Sequence, residues 1–301
     1  MPATWVKSTT VRSMRLAMGT LEVLAPGLGA RWVDRLWFSV PRPRSTKGDF
    51  PADGIPFELT VSEAAVRGRR WGDGGKIVYL VHGWGSSSIQ LGSFVKPLLE
   101  AGFGVVAYDA LSHGRSDPGP SGPTRSSALE HRDVLRAVVA GHGPAYGVVA
   151  HSLGSMAAAL AMRDGIVPQR AVYVAPMIDI TSYGEPFIRR LGGGPRIWAK
   201  FVRRAERRLG LPMSYFDLLG MGHELTTPLL IVHDRDDHET SWDASEKLAT
   251  QWPDAQLLTT TGLGHNRILS DPAVVSAAVD FIRSGSLKGA IQPSKASSGA
   301  A

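Results

Sequence analysis

The stretch that decides the fold is Tyr146–Arg163, which reads YGVVAHSLGSMAAALAMR. Residues 146–151 are mostly apolar and include adjacent valines, a pattern that predicts a buried strand. Residues 153–163 are rich in alanine, leucine and methionine, which favour a helix. One serine, Ser152, stands between the two segments. The sequence therefore predicts a strand that turns directly into a helix, with a hydroxyl group at the corner.

The corner at Ser152 carries the small residues that such a turn requires. A strand that runs straight into a helix is crowded, and Ala150 and Gly154 stand two positions before and two after the serine. The hydroxyl then lies at a helix N-terminus, where unpaired amides and the helix dipole stabilise negative charge. Because small residues flank serines by chance in many proteins, a nucleophile here also requires a base and an acid.

Candidates for the base and the acid follow two later predicted strands. A glycine turn, Gly262–His265, brings a histidine to the end of one strand. The apolar strand 229–233 ends in three carboxylates, Asp234, Asp236 and Asp237. Because the carboxyl ends of parallel strands share one edge of a sheet, these groups are expected near the serine. An acid hydrogen-bonded to the base fixes its tautomer and stabilises the imidazolium.

Outward from this centre, the chain alternates strands with helices. Strands are predicted over 57–61, 66–71, 76–82, 105–109, 146–151, 171–175, 229–233 and 256–260. Helices are predicted over 88–100, 127–141, 153–163, 242–251 and 272–283. This alternation predicts an α/β fold with a mostly parallel sheet flanked by helices. The alternation of strands and helices is interrupted over 178–222, a basic and partly helical segment that is expected to lie over one end of the sheet.

The N-terminal segment is predicted to form two short amphipathic helices, over about 11–24 and 28–38. Pro26 and Gly27 separate them. The second helix carries an apolar stripe, from Trp32 to Trp37, that is expected to be buried on the core rather than in a membrane. The chain thus divides into an N-terminal helical extension (1–50), a core (51–177 and 223–284), a helical cap inserted after the sixth strand (178–222) and a disordered tail (285–301).

Composition excludes several classes of protein. The 301 residues contain no cysteine, which rules out disulfides, thiolate zinc sites and a cysteine nucleophile. This composition fits a reducing compartment, and we expect a cytoplasmic protein. No apolar window is long enough to span a membrane. The histidines and acids over 233–238 lack the spacing of a zinc or calcium motif, so no metal site is expected.

Positive charge is concentrated in two segments. The net charge is +6, with +5 in residues 1–50 and +6 in residues 185–210. Such segments are most often solvated helix faces, and no nucleic-acid partner is expected. Weak peripheral contact with anionic membranes is the alternative.

A further glycine turn, His82–Gly85, directly follows the strand 76–82. It can direct the backbone N–H of Trp84 toward the serine, where it would form an oxyanion hole with the N–H of Leu153. His82, Gly83 and His151 flank this position and are candidate substrate-binding residues. His151 is expected to pack rather than to catalyse, because neighbouring residues of a strand point to opposite faces.

With these elements together, the chain from 57 to 284 resembles the serine-type α/β-hydrolases, in which the triad follows the order Ser, Asp, His. The loop Asp109–Ser116 is similar to the family's D-x-P-G-H-G-x-S motif, with Leu111 and Ser112 in place of Pro and Gly. The resemblance selects Asp237 as the acid. Asp236, Asp234 and Asp179 remain alternatives.

The resemblance implies a serine hydrolase that cleaves carboxylic esters without a cofactor. Ser152 would attack the acyl carbon, His265 would take its proton, and Asp237 would hold the histidine. The apolar residues of 178–222 favour a medium-chain acyl ester or a monoacylglycerol-like substrate. Two alternatives are a cofactor-free perhydrolase or C–C hydrolase with the same triad, and a non-catalytic scaffold of the same fold.

Overall fold

The computed structural model describes residues 8–41, 50, 53–73 and 75–287. The predicted linker around 42–49 and the predicted tail from 288 onward lie outside the described residues. Within them, eight strands form one sheet. The strands are β1 (Ile55–Val61), β2 (Ala64–Trp71), β3 (Ile77–Val81), β4 (Gly104–Tyr108), β5 (Ala145–His151), β6 (Arg170–Val174), β7 (Leu229–Asp234) and β8 (Ala255–Thr260).

The sheet has the order β1-β2-β4-β3-β5-β6-β7-β8. The hairpin β1–β2 is antiparallel and joins β4 in antiparallel register, whereas all the other pairs are parallel. Strands β3, β4 and β7 are buried along their whole length. This explains their continuous apolar sequences, because a central parallel strand is covered on both faces. The predicted α/β fold class is confirmed.

Helices cover both faces of the sheet. On one face, α3 (Gly92–Glu100) and α10 (Pro272–Ser284) pack on the alternate side chains of the central strands. On the other face lie α4 (Ala128–His142), α5 (Leu153–Arg163) and α9 (Trp242–Gln251). Residues 153–162 of α5 are all buried. Their small side chains let this helix lie close beneath the strand that delivers Ser152.

Two helical segments that are distant in sequence pack against one another. The first comprises α1 (Ser8–Leu24) and α2 (Pro26–Trp37), and the second comprises α6 (Ile180–Arg190), α7 (Pro195–Leu209) and α8 (Leu218–Gly222), between β6 and β7. Glu22 of α1 accepts hydrogen bonds from the backbone amides of Gly194, Arg196 and Ile197 at the start of α7. This carboxylate therefore caps a helix in the other segment.

Asp34 of α2 forms the second link between these segments. Its carboxylate is 1% exposed and lies 2.7 Å from Arg208, 3.2 Å from Arg125 and 3.5 Å from Arg204. Burial alone would raise the pKa of Asp34, but hydrogen bonds from Arg208 and Arg125 hold the pKa below its usual value. The N-terminal helices are thus fixed to both the core and α7.

The predicted elements and the observed ones differ in small ways. Each predicted strand is observed, with ends that differ by at most two residues. The helix predicted over 88–100 begins as a 3₁₀ turn, Ser88–Leu91, and becomes α-helical from Gly92. Ser127 caps α4 through the amide of Glu130, as its capping-box sequence predicts. Among the described residues, no helix combines the length and the apolar character needed to span a bilayer.

Candidate active site

Ser152 occupies a strained turn between β5 and α5. Its φ of 53° and ψ of −121° are rare for a residue with a side chain. Two backbone bonds hold the turn: the Ser152 amide donates to Val174 at the end of β6, and the Ser152 carbonyl accepts from Met177, just after that strand. A Cβ on Gly154 would lie 2.5 Å from the Val81 carbonyl oxygen, so only glycine fits there. The hydroxyl is therefore presented at the start of α5.

The predicted oxyanion residues lie beside this turn. The Leu153 amide belongs to the first turn of α5, where amides have no intrahelical acceptor. A Cβ built on Gly83 would lie 3.0 Å from the Ser152 Cβ, which shows how closely the β3 loop approaches the serine. Trp84 follows Gly83, and its indole N–H donates to the Ser39 carbonyl at 3.1 Å. The two predicted donors thus belong to adjacent backbone segments.

His265 is held by a glycine turn and two carboxylates. Gly262 and Gly264 have φ values of 80° and 65°, which is left-handed backbone that favours glycine. Asp234 accepts from the Leu263 amide at 3.0 Å, and Asp236 accepts from the Gly262 amide at 2.8 Å. These two aspartates, weighed as alternatives for the acid, therefore anchor the turn that carries the histidine.

The acid that contacts His265 is Asp237. Its Oδ2 lies 2.7 Å from His265 Nδ1, and its side chain is fully buried. Its Oδ1 accepts from the amides of Glu239 and Thr240. Burial alone would raise the pKa of Asp237, but hydrogen bonds from His233 and His265 hold the pKa far below its usual range. The ionised carboxylate fixes the proton of His265 on Nδ1, which leaves Nε2 as the basic nitrogen.

The remaining alternative acid, Asp179, has a different place. Its carboxylate accepts from the amides of Thr181 and Ser182, so it caps α6. No contact joins it to His265 among the described residues.

Two contacts of Asp237 were missed by the sequence analysis. His233 Nε2 lies 3.2 Å from Asp237 Oδ2, and its Nδ1 lies 2.6 Å from the Ser245 hydroxyl. The Thr240 hydroxyl lies 2.9 Å from Asp237 Oδ2 and 3.4 Å from His265 Nδ1. The only feature of the sequence that could have predicted the His233 contact is the i,i+4 spacing of His233 and Asp237 at the end of a strand. The acid is thus held from several sides.

The predicted substrate-binding residues occupy three different environments. Gly83 lines the cavity in front of Ser152. His151 also borders that cavity, but its Nε2 lies 3.0 Å from the His265 carbonyl oxygen, so it contacts the loop of the base. His82 is buried outside the cavity lining, and its ring nitrogens bond the Gly83 carbonyl and the Ala110 amide. In this position, His82 supports the glycine turn that follows it instead of facing the cavity.

A cavity of about 590 Å³ opens in front of Ser152 and His265. Three parts of the chain line it. The N-terminal segment contributes Leu36, Trp37, Phe38, Ser39 and Pro41, the strand-end loops contribute Gly83, Trp84 and Gln90, and the segment before β7 contributes Met177, Ile180, Tyr183, Phe187, Leu209, Met213 and Phe216. The contribution of the N-terminal helix was not expected from the sequence. Most of these side chains are apolar, which suits an aliphatic or aromatic ligand.

One carboxylate shares this cavity with the base. Glu239 Oε2 lies 3.9 Å from His265 Nε2, and Glu239 lines the cavity. Among the described residues, no group of three or more histidine and carboxylate side chains has the geometry of a metal site.

Comparisons with known proteins agree with this fold. An esterase from Pyrococcus furiosus superposes with a TM-score of 0.60 at 18% identity, covering 82% of this chain and 98% of the esterase. An esterase from Rhodococcus sp. gives a TM-score of 0.58 at 21% identity, covering 77% of this chain and 98% of that chain. At these identities, the likeness shows the fold alone.

One curated relative is similar in sequence. The chain is 31% identical, over 160 residues, to a protein of Mycobacterium phage D29 whose name assigns it to the non-heme haloperoxidases. The chain spans about half the length of that relative, 51% of each protein.

Residues 78–278 match the sequence profile of the alpha/beta hydrolase family. This region contains the strained serine turn, the histidine turn and the buried aspartate. The chain therefore belongs to the alpha/beta hydrolase family.

Proposed function

We propose that this enzyme hydrolyses carboxylic esters through an acyl-enzyme formed on Ser152. The observation that carries the proposal is the common cavity of Ser152 and His265, with Asp237 bonded to the far nitrogen of the histidine. This is the arrangement that nucleophilic acyl transfer requires.

Acylation begins when His265 Nε2 takes the proton of the Ser152 hydroxyl as its oxygen attacks the acyl carbon. The carbonyl oxygen becomes an oxyanion, which the backbone amides of Trp84 and Leu153 stabilise. Each such donor is worth roughly 3 kcal/mol in the transition state. Asp237 stabilises the imidazolium, which then protonates the leaving alcohol. The product of this half-reaction is the acylated serine.

Deacylation repeats these steps with water. His265 Nε2 takes a proton from water, whose oxygen attacks the acyl carbon, and the Ser152 oxygen leaves with that proton. The free acid is released as a carboxylate. Because Glu239 lies in the same cavity, its negative charge favours departure of this anionic product.

The substrate class follows from the apolar cavity. A volume of about 590 Å³ is in the range of small-molecule sites and accommodates a medium-chain acyl group or a monoacylglycerol-like ester. Trp37 of α2 and Phe187 of α6 pack edge to face, with centroids 5.5 Å apart, in the wall of the cavity. We expect these rings to limit the acyl length.

A second candidate reaction is perhydrolysis, which the phage relative favours. Hydrogen peroxide would replace water as the acceptor, so that the acylated serine yields a peracid and free Ser152. A C–C hydrolase would use the same residues on a different substrate class. Both alternatives retain the activated serine and differ only in the acceptor or the bond that breaks.

The test is fluorophosphonate labelling of the purified protein, with Ser152→Ala as a matched variant. Labelling of the parent and none of the variant is expected, because only an activated serine reacts. A panel of p-nitrophenyl esters of increasing chain length then measures the acyl preference, with and without hydrogen peroxide. A folded parent that is neither labelled nor active on any ester would overturn the proposal.

A further inference from the structure

A basic groove lies between the two helical segments, away from the candidate active site. It is lined by Ala25, Gly27, Leu28, Ala30 and Arg31 from the N-terminal segment, and by Lys200, Arg203, Arg204 and Arg207 from α7. None of these residues lines the cavity in front of Ser152. The groove is therefore a separate surface feature of the enzyme.

The positive charge of the groove is mostly uncompensated. Lys200, Arg203, Arg204 and Arg207 follow the spacing i, i+3, i+4, i+7, which places them on one face of α7. Arg204 forms an ion pair with Asp34 at 3.5 Å. Among the residues that the structure describes, no carboxylate pairs with the other three or with Arg31. A surface with several unpaired cations attracts anionic partners.

Exposed aliphatic side chains border the same groove. Leu28 lines it and is 55% exposed, and Leu24, at the end of α1 beside the lining residue Ala25, is 77% exposed. Val23 and Leu16 of α1 are also exposed. Aliphatic groups next to unpaired cations form the pattern of a surface that lies in the headgroup region of a bilayer. A nucleic-acid groove would instead offer aromatic rings for stacking, and none lines this groove.

We propose that this groove and its aliphatic rim, formed by the α1–α2 corner and α7, dock the enzyme on anionic phospholipid membranes. Lys200, Arg203, Arg207 and Arg31 contact the phosphates, and Leu24 and Leu28 insert at the level of the acyl chains. The surface contains no residue of the candidate active site, so this inference stands or fails independently of the proposed ester chemistry.

The test is sedimentation of the purified protein with vesicles of phosphatidylcholine alone and of an equimolar mixture of phosphatidylcholine and phosphatidylglycerol. The parent is expected to bind the anionic vesicles, with binding that weakens as salt rises. In the triple variant Lys200→Glu, Arg203→Glu, Arg207→Glu, the fraction of protein bound to anionic vesicles should fall at least about tenfold. Each cation near an anionic membrane surface adds its own share to the binding free energy. Ser152→Ala should bind like the parent.

Two matched controls make the result specific. The triple variant Lys96→Glu, Arg136→Glu, Lys247→Glu changes the net charge of the protein by the same amount as the groove variant. Its substitutions lie on α3, α4 and α9, outside the groove, so it should retain most of the binding. Leu24→Ser with Leu28→Ser should weaken binding, whereas Ile55→Ser with Val167→Ser, which are also exposed, should not. Circular dichroism establishes that each variant is folded.

Several outcomes would overturn the inference. One is equal loss of binding in the two charge-reversal variants, which would indicate a general charge effect. Another is binding of single-stranded RNA, heparin or inorganic phosphate at the groove without binding of anionic vesicles. These probes carry the negative charge of a phospholipid headgroup but form no bilayer, so the groove would then be an anion site and not a membrane-binding surface. A parent that does not sediment with anionic vesicles at low salt contradicts it directly.

Discussion

Two histidines, His265 and His233, contact the same oxygen of Asp237, Oδ2. Only the first of these histidines faces the cavity in front of Ser152. The second, with Ser245 behind it, fixes the carboxylate in place. In the proposed acyl transfer, this orientation decides the rate, because a misaligned imidazole presents the wrong nitrogen to the serine.

Asp237→Asn is expected to reduce kcat for p-nitrophenyl esters by about 10³–10⁴-fold, because an amide no longer fixes the proton on Nδ1. The matched variant is Asp236→Asn, which changes the same charge one residue away, at a carboxylate bonded to the Gly262 amide. Its kcat should fall far less. Equal loss in both variants, measured by steady-state kinetics, would contradict the assignment of Asp237 as the acid.

The serine turn makes a steric prediction. In Gly154→Ala, the new Cβ would lie 2.5 Å from the Val81 oxygen and 2.7 Å from the His82 oxygen, both of which are backbone atoms. The turn must shift, which should cost about 1–3 kcal/mol of unfolding free energy. Fluorophosphonate labelling should slow as well.

The control for this variant is Gly141→Ala in α4. The Cβ added there meets nothing closer than 3.8 Å, and alanine is favoured over glycine in a helix by up to about 1 kcal/mol. Urea denaturation should therefore show opposite signs for the two substitutions. A destabilised Gly141→Ala variant would mean that the contact geometry does not explain the difference.

At the scale of elements, the capping of α7 by Glu22 joins two segments that are more than 150 residues apart. The start of α7 is Gly194 followed by Pro195, and Gly194 has no side chain with which to cap the helix. Glu22 supplies this function from α1. The position of the N-terminal helices therefore depends on specific hydrogen bonds as well as on apolar packing.

Glu22→Ala should reduce the unfolding free energy by about 0.5–2 kcal/mol, the usual cost of losing a helix cap. Hydrogen exchange should accelerate at the amides of Arg196 and Ile197, which lose their acceptor. Glu185→Ala removes an exposed carboxylate from α6 that pairs with Arg189, and it should change stability by less than about 1 kcal/mol. Unchanged protection at the start of α7 would exclude the capping role.

The elements that could be predicted from sequence are those fixed by local rules. The turn at Ser152 could be predicted from the small residues at 150 and 154. The strand β3 could be predicted because its apolar, mostly β-branched sequence is typical of a buried strand. The place of Trp37 in the cavity wall could not be predicted. It depends on how α2 docks on α6 and α7: the apolar stripe of α2 predicts that this face is buried, but it does not show which part of the chain covers it.

The same distinction applies to the acid. Three carboxylates follow β7 within four residues, and composition does not separate them. Asp234 and Asp236 accept hydrogen bonds from backbone amides of the histidine turn. These contacts are visible only in the folded structure. Asp237 was singled out by family resemblance, and its contact with His265 agrees with that choice.

At the scale of the whole molecule, buried histidines link folding to pH. His82, His113, His131 and His151 are each at least 98% buried. Burial lowers the pKa of all four below 6.5, and to about 3 for His113. The native state therefore keeps these rings neutral where the unfolded chain would be protonated.

Stability should fall as the pH drops below about 6.5, since the unfolded state then binds protons that the native state does not. Each ring contributes up to about 1.4 kcal/mol per pH unit in this window. Asp34 and Asp237 have lowered pKa values. Their stabilising effect persists until about pH 4 and is lost only below it, so it does not contribute to the change in unfolding free energy near the ordinary pKa of histidine.

Urea denaturation at a series of pH values between about 7.5 and 5.5, around the ordinary pKa of histidine, measures this proton uptake. His131→Gln should reduce the slope by about one proton, because that ring no longer titrates in the unfolded chain. A parent whose unfolding free energy does not change over this range would show that the rings are protonated in the native state.

The wall that α2 adds to the cavity has a practical consequence for engineering. Leu36, Trp37 and Phe38 reach the cavity from the N-terminal segment, so shortening the chain at that end removes part of the cavity wall. Under the proposed function, variants trimmed or fused there to improve expression should differ in the esters that they accept. A small library at these three positions would then offer a direct way to redesign acyl selectivity without altering the residues around Ser152.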